Sequence, residues 1–444
     1  MTECTSSKLV FSRLKWQKVE GYFDGGRLTS DAGAMLLREV DRRLGLTSAL
    51  AACITDTRCV RRIRHDRHRM LSQRVFGIGL GYEDLNDHQS LRDEPLFQVL
   101  AEQRPDPDRP LASPATLCRF ENRITRACLV RMAGVLVEQF IRSYRRPPTQ
   151  LILDFDATDD AVHGGQEGRF FHGYYDHYCF LPLYVFCGDR LLCAYLRPSN
   201  IDAAKHSRAI LKLLVQRLRE VWPDVRIILR ADSGFCREEL MHWCEGHGVG
   251  YVFGFARNDK LRRIIAAAME EAARQQAATG KPARVFAEFL YRTTTGSWSR
   301  ARRMVAKAEQ IEGKENPRYV VTNLSAEQWP ARRLYEELYC ERGEMENRIK
   351  EQLSLFATRV SAESMRANQV RLYFSGMAYV LMHGLRRLGL KGTELARAQA
   401  TTIRLRLLKI GAQIRVTTRR VWLSLASSYP LQPLFAQVWA ALRC

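Results

Sequence analysis

Apolar positions recur at helical spacing through the first third of the chain, then give way to short aliphatic runs that end in acids. Leu28-Thr29-Ser30-Asp31 offers N-cap residue types ahead of Ala32–Leu44, whose apolar residues fall at helical spacing. Asp56 to Arg74 and Ser90 to Leu100 read as further helices, and Ser113-Pro114 opens another. Arg146-Pro147-Pro148 forms a boundary. From Thr149 the pattern is one of strands. Leu151-Ile152-Leu153 reads as a strand covered on both faces, and it runs straight into Asp154, Asp156, Asp159 and Asp160. Side chains alternate along a strand, so Asp154 and Asp156 share one face and Phe155 takes the other. A carboxylate buried there needs a charged partner, and a divalent cation is one candidate because hard cations take carboxylate oxygens. The plain alternative is that Asp156, Asp159 and Asp160 cap the strand and begin a turn.

Tyr174–Phe186 and Leu191–Pro198 then flank a hairpin turn at Cys187-Gly188-Asp189-Arg190. Ala203–Val221 is a helix, and Val225–Leu229 is a second aliphatic strand that also meets an acid, Asp232. Gly234 permits a tight turn there, Arg237–Gly246 is helical and Tyr251–Phe255 is another strand. The order βββαβαβ therefore places acids at the ends of the first and fourth strands. Lys260–Gln276 is an alanine-rich helix, and Arg284–Arg292, Ser299–Lys307 and Arg318–Asn323 read as strands of an inserted, largely antiparallel subdomain.

Residues 333–356 make the most informative helix. At about 100° per residue, Leu338, Met345, Ile349 and Phe356 form an apolar stripe, and Glu341, Glu344, Arg348 and Glu351 lie opposite on a solvated face. Tyr339, Arg342, Glu346 and Lys350 line up between them. Such a line can be an ordinary ion-pair ladder. The aromatic, the Arg and a mid-helix Gly343 argue against that, since glycine there costs about 1 kcal/mol relative to alanine and is expected to permit a close backbone approach.

Composition changes this picture mainly through charge. The 444 residues carry 69 Lys and Arg against 48 Asp and Glu, a formal charge of +21 that favours a polyanionic partner. Residues 385–444 hold eleven of those cations and a single acid, Glu394, which is about half the surplus. A second basic cluster spans Arg58–Arg74, with Arg61, Arg62 and Arg64 as candidate phosphate contacts. No window approaches the roughly 18 unbroken apolar residues of a membrane span, and the N-terminus lacks a signal-type apolar core, so a cytoplasmic protein is expected. The twelve cysteines include no CxxC, which gives no support to a zinc knuckle or thioredoxin-like motif. His163, His172 and His177 are irregularly spaced for a metal site.

Several of these residues resemble a known family. Tyr339-x2-Arg342-x3-Glu346 resembles the YREK signature of bacterial insertion-sequence transposases of the DDE class. Asp156-x-Thr158 and Ala231-Asp232-Ser233-Gly234-Phe235 look like their two Asp motifs. Residues 23–33, FDGGRLTSDAG, and Glu346-Asn347-Arg348-Ile349-Lys350-Glu351 look like the insertion sequence 1380 family specifically. One position departs: the signature expects Lys six residues beyond the Glu, where this chain has Leu353, and Lys350 one turn earlier is the candidate to replace it.

The resemblance implies an α/β protein with an RNase H-like core interrupted by a β-rich insertion. Its expected divisions are a helical DNA-binding region (1–148), the first part of the core with two Asp (149–257), the insertion (258–332), the second part of the core with the Glu helix (333–385) and a basic C-terminal region (386–444). It implies that Asp156, Asp232 and Glu346 hold two Mg²⁺ or Mn²⁺ ions about 3.5–4 Å apart for cut-and-paste transposition. Asp154 is the competitor for Asp156. Tyr339 and Arg342 become phosphate contacts, and Trp298 either stacks on an unpaired base or fills the core. The partners implied are double-stranded DNA, as element ends with inverted repeats and as target, and a second copy in a homodimer. A non-cutting DNA-binding regulator or domesticated derivative on the same scaffold, or a metal-dependent nuclease, are the alternatives.

Overall fold

The computed structural model describes residues 8–293 and 297–443. They form two compact units. One comprises residues 1–128, 354–356 and 377–444; the other comprises 129–353 and 357–376.

The second unit is built on one mixed sheet. Its strands are β1 (Gln150–Ala157), β2 (Leu183–Cys187), β3 (Arg190–Tyr195), β4 (Arg226–Ala231), β5 (Gly250–Phe255), β6 (Ala283–Tyr291), β7 (Arg302–Ile311), β8 (Lys314–Glu315) and β9 (Arg318–Thr322). They lie side by side in the order β6-β7-β9-β5-β4-β1-β2-β3, with β8 paired to β7. Strands β1, β4 and β5 are parallel neighbours, with Leu229 opposite Leu153 and Tyr251. Parallel neighbours require crossovers; these run through α1 (Ser207–Val221) and α2 (Glu238–Gly246). The β2–β3 hairpin adds antiparallel strands at one edge.

Both faces of the centre are covered, which is why its strands read as unbroken aliphatic runs. Leu151, Leu153 and Phe155 point into a core with Ile227, Leu229, Phe253 and the α1 residues Leu211, Leu214 and Leu218. Ile228, Val252 and Val320 on the other face pack against Leu334, Tyr335 and Leu338. Each such side chain contributes about 1.5–3 kcal/mol on burial.

The region between β5 and Leu334 holds the expected antiparallel strands, but they do not stand apart. Strand β9 pairs with β5, so β6, β7 and β9 continue the main sheet. Before them come a short helix, Asp259–Ile264, and α3 (Ala266–Thr279). The hairpin also differs from expectation. Residues 174–182 do not continue β2; His177–Phe180 instead belongs to a separate three-stranded sheet with Asp160–Ala161 and Phe170–His172.

The first unit is helical apart from an antiparallel hairpin, Leu9–Leu14 with Gln17–Gly21, and a small sheet. Leu28-Thr29 is a strand here, paired with Ala412–Val416, and the following helix runs Ala34–Leu44 behind Gly33. A Cβ on Gly33 would collide with the backbone of Leu407 and Leu408, so only glycine lets the two segments meet. Asp31 accepts a bond from the Tyr82 hydroxyl at 2.7 Å and pairs with Lys409 at 2.6 Å. The basic C-terminal segment is thus woven into the same unit as the N-terminal helices. No described helix is long and apolar enough to cross a membrane.

Candidate active site

The carboxylates after Leu153 have four different fates. Asp154 is buried and faces Arg230 across the β1–β4 pair, where the register sets them opposite each other. The guanidinium donates to Asp154 Oδ2 at 2.8 Å and also to the carbonyl of Leu338. Asp160 is buried, and burial with Asp159 beside it pushes its carboxyl up to about 8. Asp159 pairs with His177 Nε2 at 2.9 Å. Asp156 alone turns toward the other acids. Its carboxyl is pushed up to about 6, first by desolvation and then by Asp232 and Glu346, against the opposing pull of Arg342.

Because Arg230 and Asp154 are almost fully enclosed, removing one leaves the other charged and unpaired. Arg230→Met is therefore expected to lower unfolding free energy by about 3–5 kcal/mol. Urea unfolding read by circular dichroism checks this; an unchanged midpoint would show that the pair is dispensable.

Asp232 directly follows β4, the strand beside β1, and its Oδ1 accepts the Gly234 amide at 2.8 Å. That turn is an Asx-type cap on the short 3₁₀ segment Ser233–Phe235. Adjacent parallel strands thus end in Asp156 and Asp232, as the strand pattern anticipated.

The third acid arrives on a helix that is not uniform. A first α turn at Ala331–Arg333 passes into a π-helical stretch, Leu334–Tyr339, a 3₁₀ turn, Cys340–Arg342, and then α4 (Gly343–Ser354). Such interruptions in an otherwise α-helical run cluster at functional sites, and this one brackets Tyr339 and Arg342. Arg342 Nη1 donates to Asp156 Oδ2 at 3.1 Å and its Nη2 to Glu346 Oε1 at 3.1 Å. One guanidinium therefore spans the strand acid and the helix acid. Tyr339 is half-buried, packs 5.6 Å from Tyr335 and carries its hydroxyl over Gly254. Burial raises its phenol pKa, with Arg342 opposing and Asp232 adding to the rise.

Two expectations from the helical pattern need correction. A Cβ at Gly343 would meet nothing within 4 Å; the close approach is at Gly254 on β5, where a side chain would overlap the Tyr339 hydroxyl. Nothing in the local sequence around Gly254 marked it, because the partner lies some eighty residues away. Glu351 is buried instead of solvated, with Arg348 at 3.5 Å, on the same regular α4 that buries Met345 and Ile349. Lys350 and Glu346 are both exposed on α4.

Trp298 is 3% exposed. Its ring packs edge-on against Phe255 at 5.3 Å and Tyr291 at 5.8 Å, which places it in the core. Arg61, Arg62 and Arg64 are exposed in the first unit, the first two on a 3₁₀ turn, Val60–Arg62. Their cluster is less basic than its sequence suggests. Arg58 pairs with Asp56 at 2.7 Å, Arg74 is buried against Glu121 at 2.9 Å, and the helix begins only at Arg67.

Among the described residues no three His, Cys, Asp or Glu side chains are grouped as a ready-made metal site. The donor chemistry nevertheless fits hard divalent ions: carboxylate oxygens only, one of them held protonated more easily by the charge of two others. Positive charge between Asp156 and Glu346 is supplied by Arg342 in this structure.

A family model described as transposase DDE domain group 1 matches residues 11–444. No curated protein matches the chain. Among solved structures, the cryo-EM structure of a piggyBac transposase synaptic complex with hairpin DNA aligns at 9% identity and a TM-score of 0.41, covering 94% of this chain and 82% of that one.

Proposed function

The chain belongs to the transposase DDE domain group 1 family, and from that premise we propose that it is a cut-and-paste transposase of the insertion sequence 1380 type, acting on double-stranded DNA as a homodimer. The observation that carries the reading is the Arg342 guanidinium, which joins Asp156 on β1 to Glu346 on the interrupted helix, with Asp232 directly after the adjacent parallel strand β4. The strand order β3-β2-β1-β4-β5, three antiparallel strands followed by two parallel crossovers, supports an RNase H-like core. On that reading β6–β9 are the insertion that separates Glu346 from Asp232 along the chain.

Asp156, Asp232 and Glu346 would hold two Mg²⁺ or Mn²⁺ ions, which activate the attacking oxygen and stabilise the leaving one. Arg342 presents a planar fork at the acids, suited to a phosphate oxygen beside the scissile bond. The Tyr339 hydroxyl, over Gly254, would donate to the same strand. Lys350, one turn past Glu346, supplies a further cation for the phosphate backbone, and Arg61, Arg62 and Arg64 do so on the first unit. Attack by water nicks the strand; attack by a DNA 3′-hydroxyl joins strands, with no covalent protein intermediate.

The DNA flanking the coding region tests the class: terminal inverted repeats bounded by a short target duplication are expected, and unique flanks without repeats would contradict it. Binding should also be strongly salt-dependent. With six to ten phosphates neutralised, affinity falls about 10³–10⁵-fold between roughly 50 and 200 mM salt. Replacing Arg61, Arg62 and Arg64 together by Ala is expected to flatten the log–log salt slope by up to roughly 3, measured by fluorescence anisotropy. An unchanged slope would remove those three from the DNA contact. Truncation at 386 is a poor test of the basic C-terminus, because it would delete the strand paired with Leu28-Thr29.

A further inference from the structure

Only Thr158 and Asp159 separate the end of β1 from Asp160–Ala161, the strand that joins the small sheet of residues 160–180. That sheet carries aromatic rings on its surface. Phe170, Phe171, Tyr174 and Tyr178 are all exposed, Tyr174 at 85% and Phe171 at 53%. Apolar rings scattered singly need no explanation, but Phe171 and Tyr178 share one face of this sheet and Tyr174 lies in the turn that joins their strands, which makes a patch. We propose that this hairpin is a stacking platform for unpaired bases of the DNA engaged at Asp156, an inference that rests on the function proposed above.

The rings are held in a fixed arrangement. Phe171 lies directly across the ladder from Tyr178, with centroids 5.7 Å apart, edge to face. Tyr174 and Tyr175 meet at 5.0 Å in the turn, which Asp176 closes with φ 57° and a hydrogen bond from its amide N–H to the His172 carbonyl at 2.8 Å. The base of the hairpin is tied down by Ser199 Oγ on the Phe170 carbonyl at 2.9 Å, and its central strand, His177–Phe180, by the Val162 amide on the Tyr178 carbonyl. Little conformational freedom remains to be lost when a flat ligand lands on it.

Two features select bases over an apolar protein surface. The Arg169 guanidinium sits 4.7 Å from the Tyr178 ring centroid, so the patch pairs rings with a cation, as single-strand binding surfaces do. It is also continuous with the acids: Asp159 reaches His177 in the hairpin, and the Tyr175 phenol feels both Asp159 and Asp156. Nucleotides next to a phosphodiester held at Asp156 are therefore neighbours of this sheet. The buried Trp298 leaves that role to the hairpin.

The test uses the full chain and two probes, a blunt DNA duplex and the same duplex with a single-stranded oligo-dT tail containing 2-aminopurine. Wild type is expected to bind the tailed probe about 10-fold or more tightly than the blunt one, and to change the 2-aminopurine fluorescence. Phe171→Ala with Tyr174→Ala should lose both effects and keep blunt-duplex affinity; Tyr174→Phe should keep all three. Retention of the tail preference by the double variant would overturn the proposal, as would a wild type that binds blunt duplex with no gain from the tail. A change of oligomeric state in the double variant would also overturn it, making the patch an interface between copies. Failure of wild type to bind either probe would instead sink the functional reading, and this inference with it.

Discussion

Alanine at Asp156, Asp232 or Glu346 is expected to abolish metal-dependent DNA cleavage, by on the order of 10³-fold or more, while duplex binding persists. Each acid is placed by a different device: Asp156 by the end of β1, Asp232 by the turn after β4, Glu346 by the first turn of α4. None is part of the hydrophobic core, and Glu346 has a side chain half open to solvent, so folding should survive the changes. Gel-based nicking with each purified variant in Mg²⁺ reads the result. Near-wild-type cleavage by any one of them would remove that residue from the site. Asp154→Ala serves as the contrast. Its carboxylate is committed to Arg230, so its loss should show first in stability and only secondarily in chemistry.

Arg342→Lys is expected to keep the fold and lose a large part of the cleavage rate. Arg342 precedes Glu346 by four residues, and a simple helical pair of that spacing is worth only about 0.3–0.5 kcal/mol. The guanidinium does more here, because its second arm reaches Asp156 on a strand 186 residues away in sequence. A lysine ammonium is a single point charge and cannot hold two carboxylates, or an acid and a phosphate, with one planar fork. Single-turnover nicking alongside thermal melts separates the two readings. A stable Arg342→Lys protein that cleaves at the wild-type rate would confine the helix's contribution to Glu346.

Much of the second unit was legible in sequence because its signals are local. Leu151-Ile152-Leu153 and the run ending at Leu229 are too apolar for half-exposed strands, and each ends in an acid that period-two alternation keeps out of the core. What stayed hidden depends on distant partners. Leu28-Thr29 looked like a helix start, yet pairs with Ala412–Val416 almost four hundred residues on. Gly33 and Gly254 each carry their constraint from a segment far along the chain. Arg74 belongs to a basic run in the sequence, yet its side chain is buried in the core against Glu121. The helix at 333–356 misled for a different reason. A constant angle per residue aligns Arg342 with Glu346, but it cannot anticipate a π stretch and a 3₁₀ turn, nor which of the remaining faces other segments cover, and Glu351 is buried.

The most direct test of the account is cleavage by the wild-type protein on a plasmid carrying its coding region with native flanks. The account predicts nicks in Mg²⁺ or Mn²⁺ that map to the ends of the inverted repeats, abolished by EDTA and by Asp232→Ala. Specific binding to those ends with no strand breakage in either metal would contradict it and leave a DNA-binding protein on a transposase scaffold.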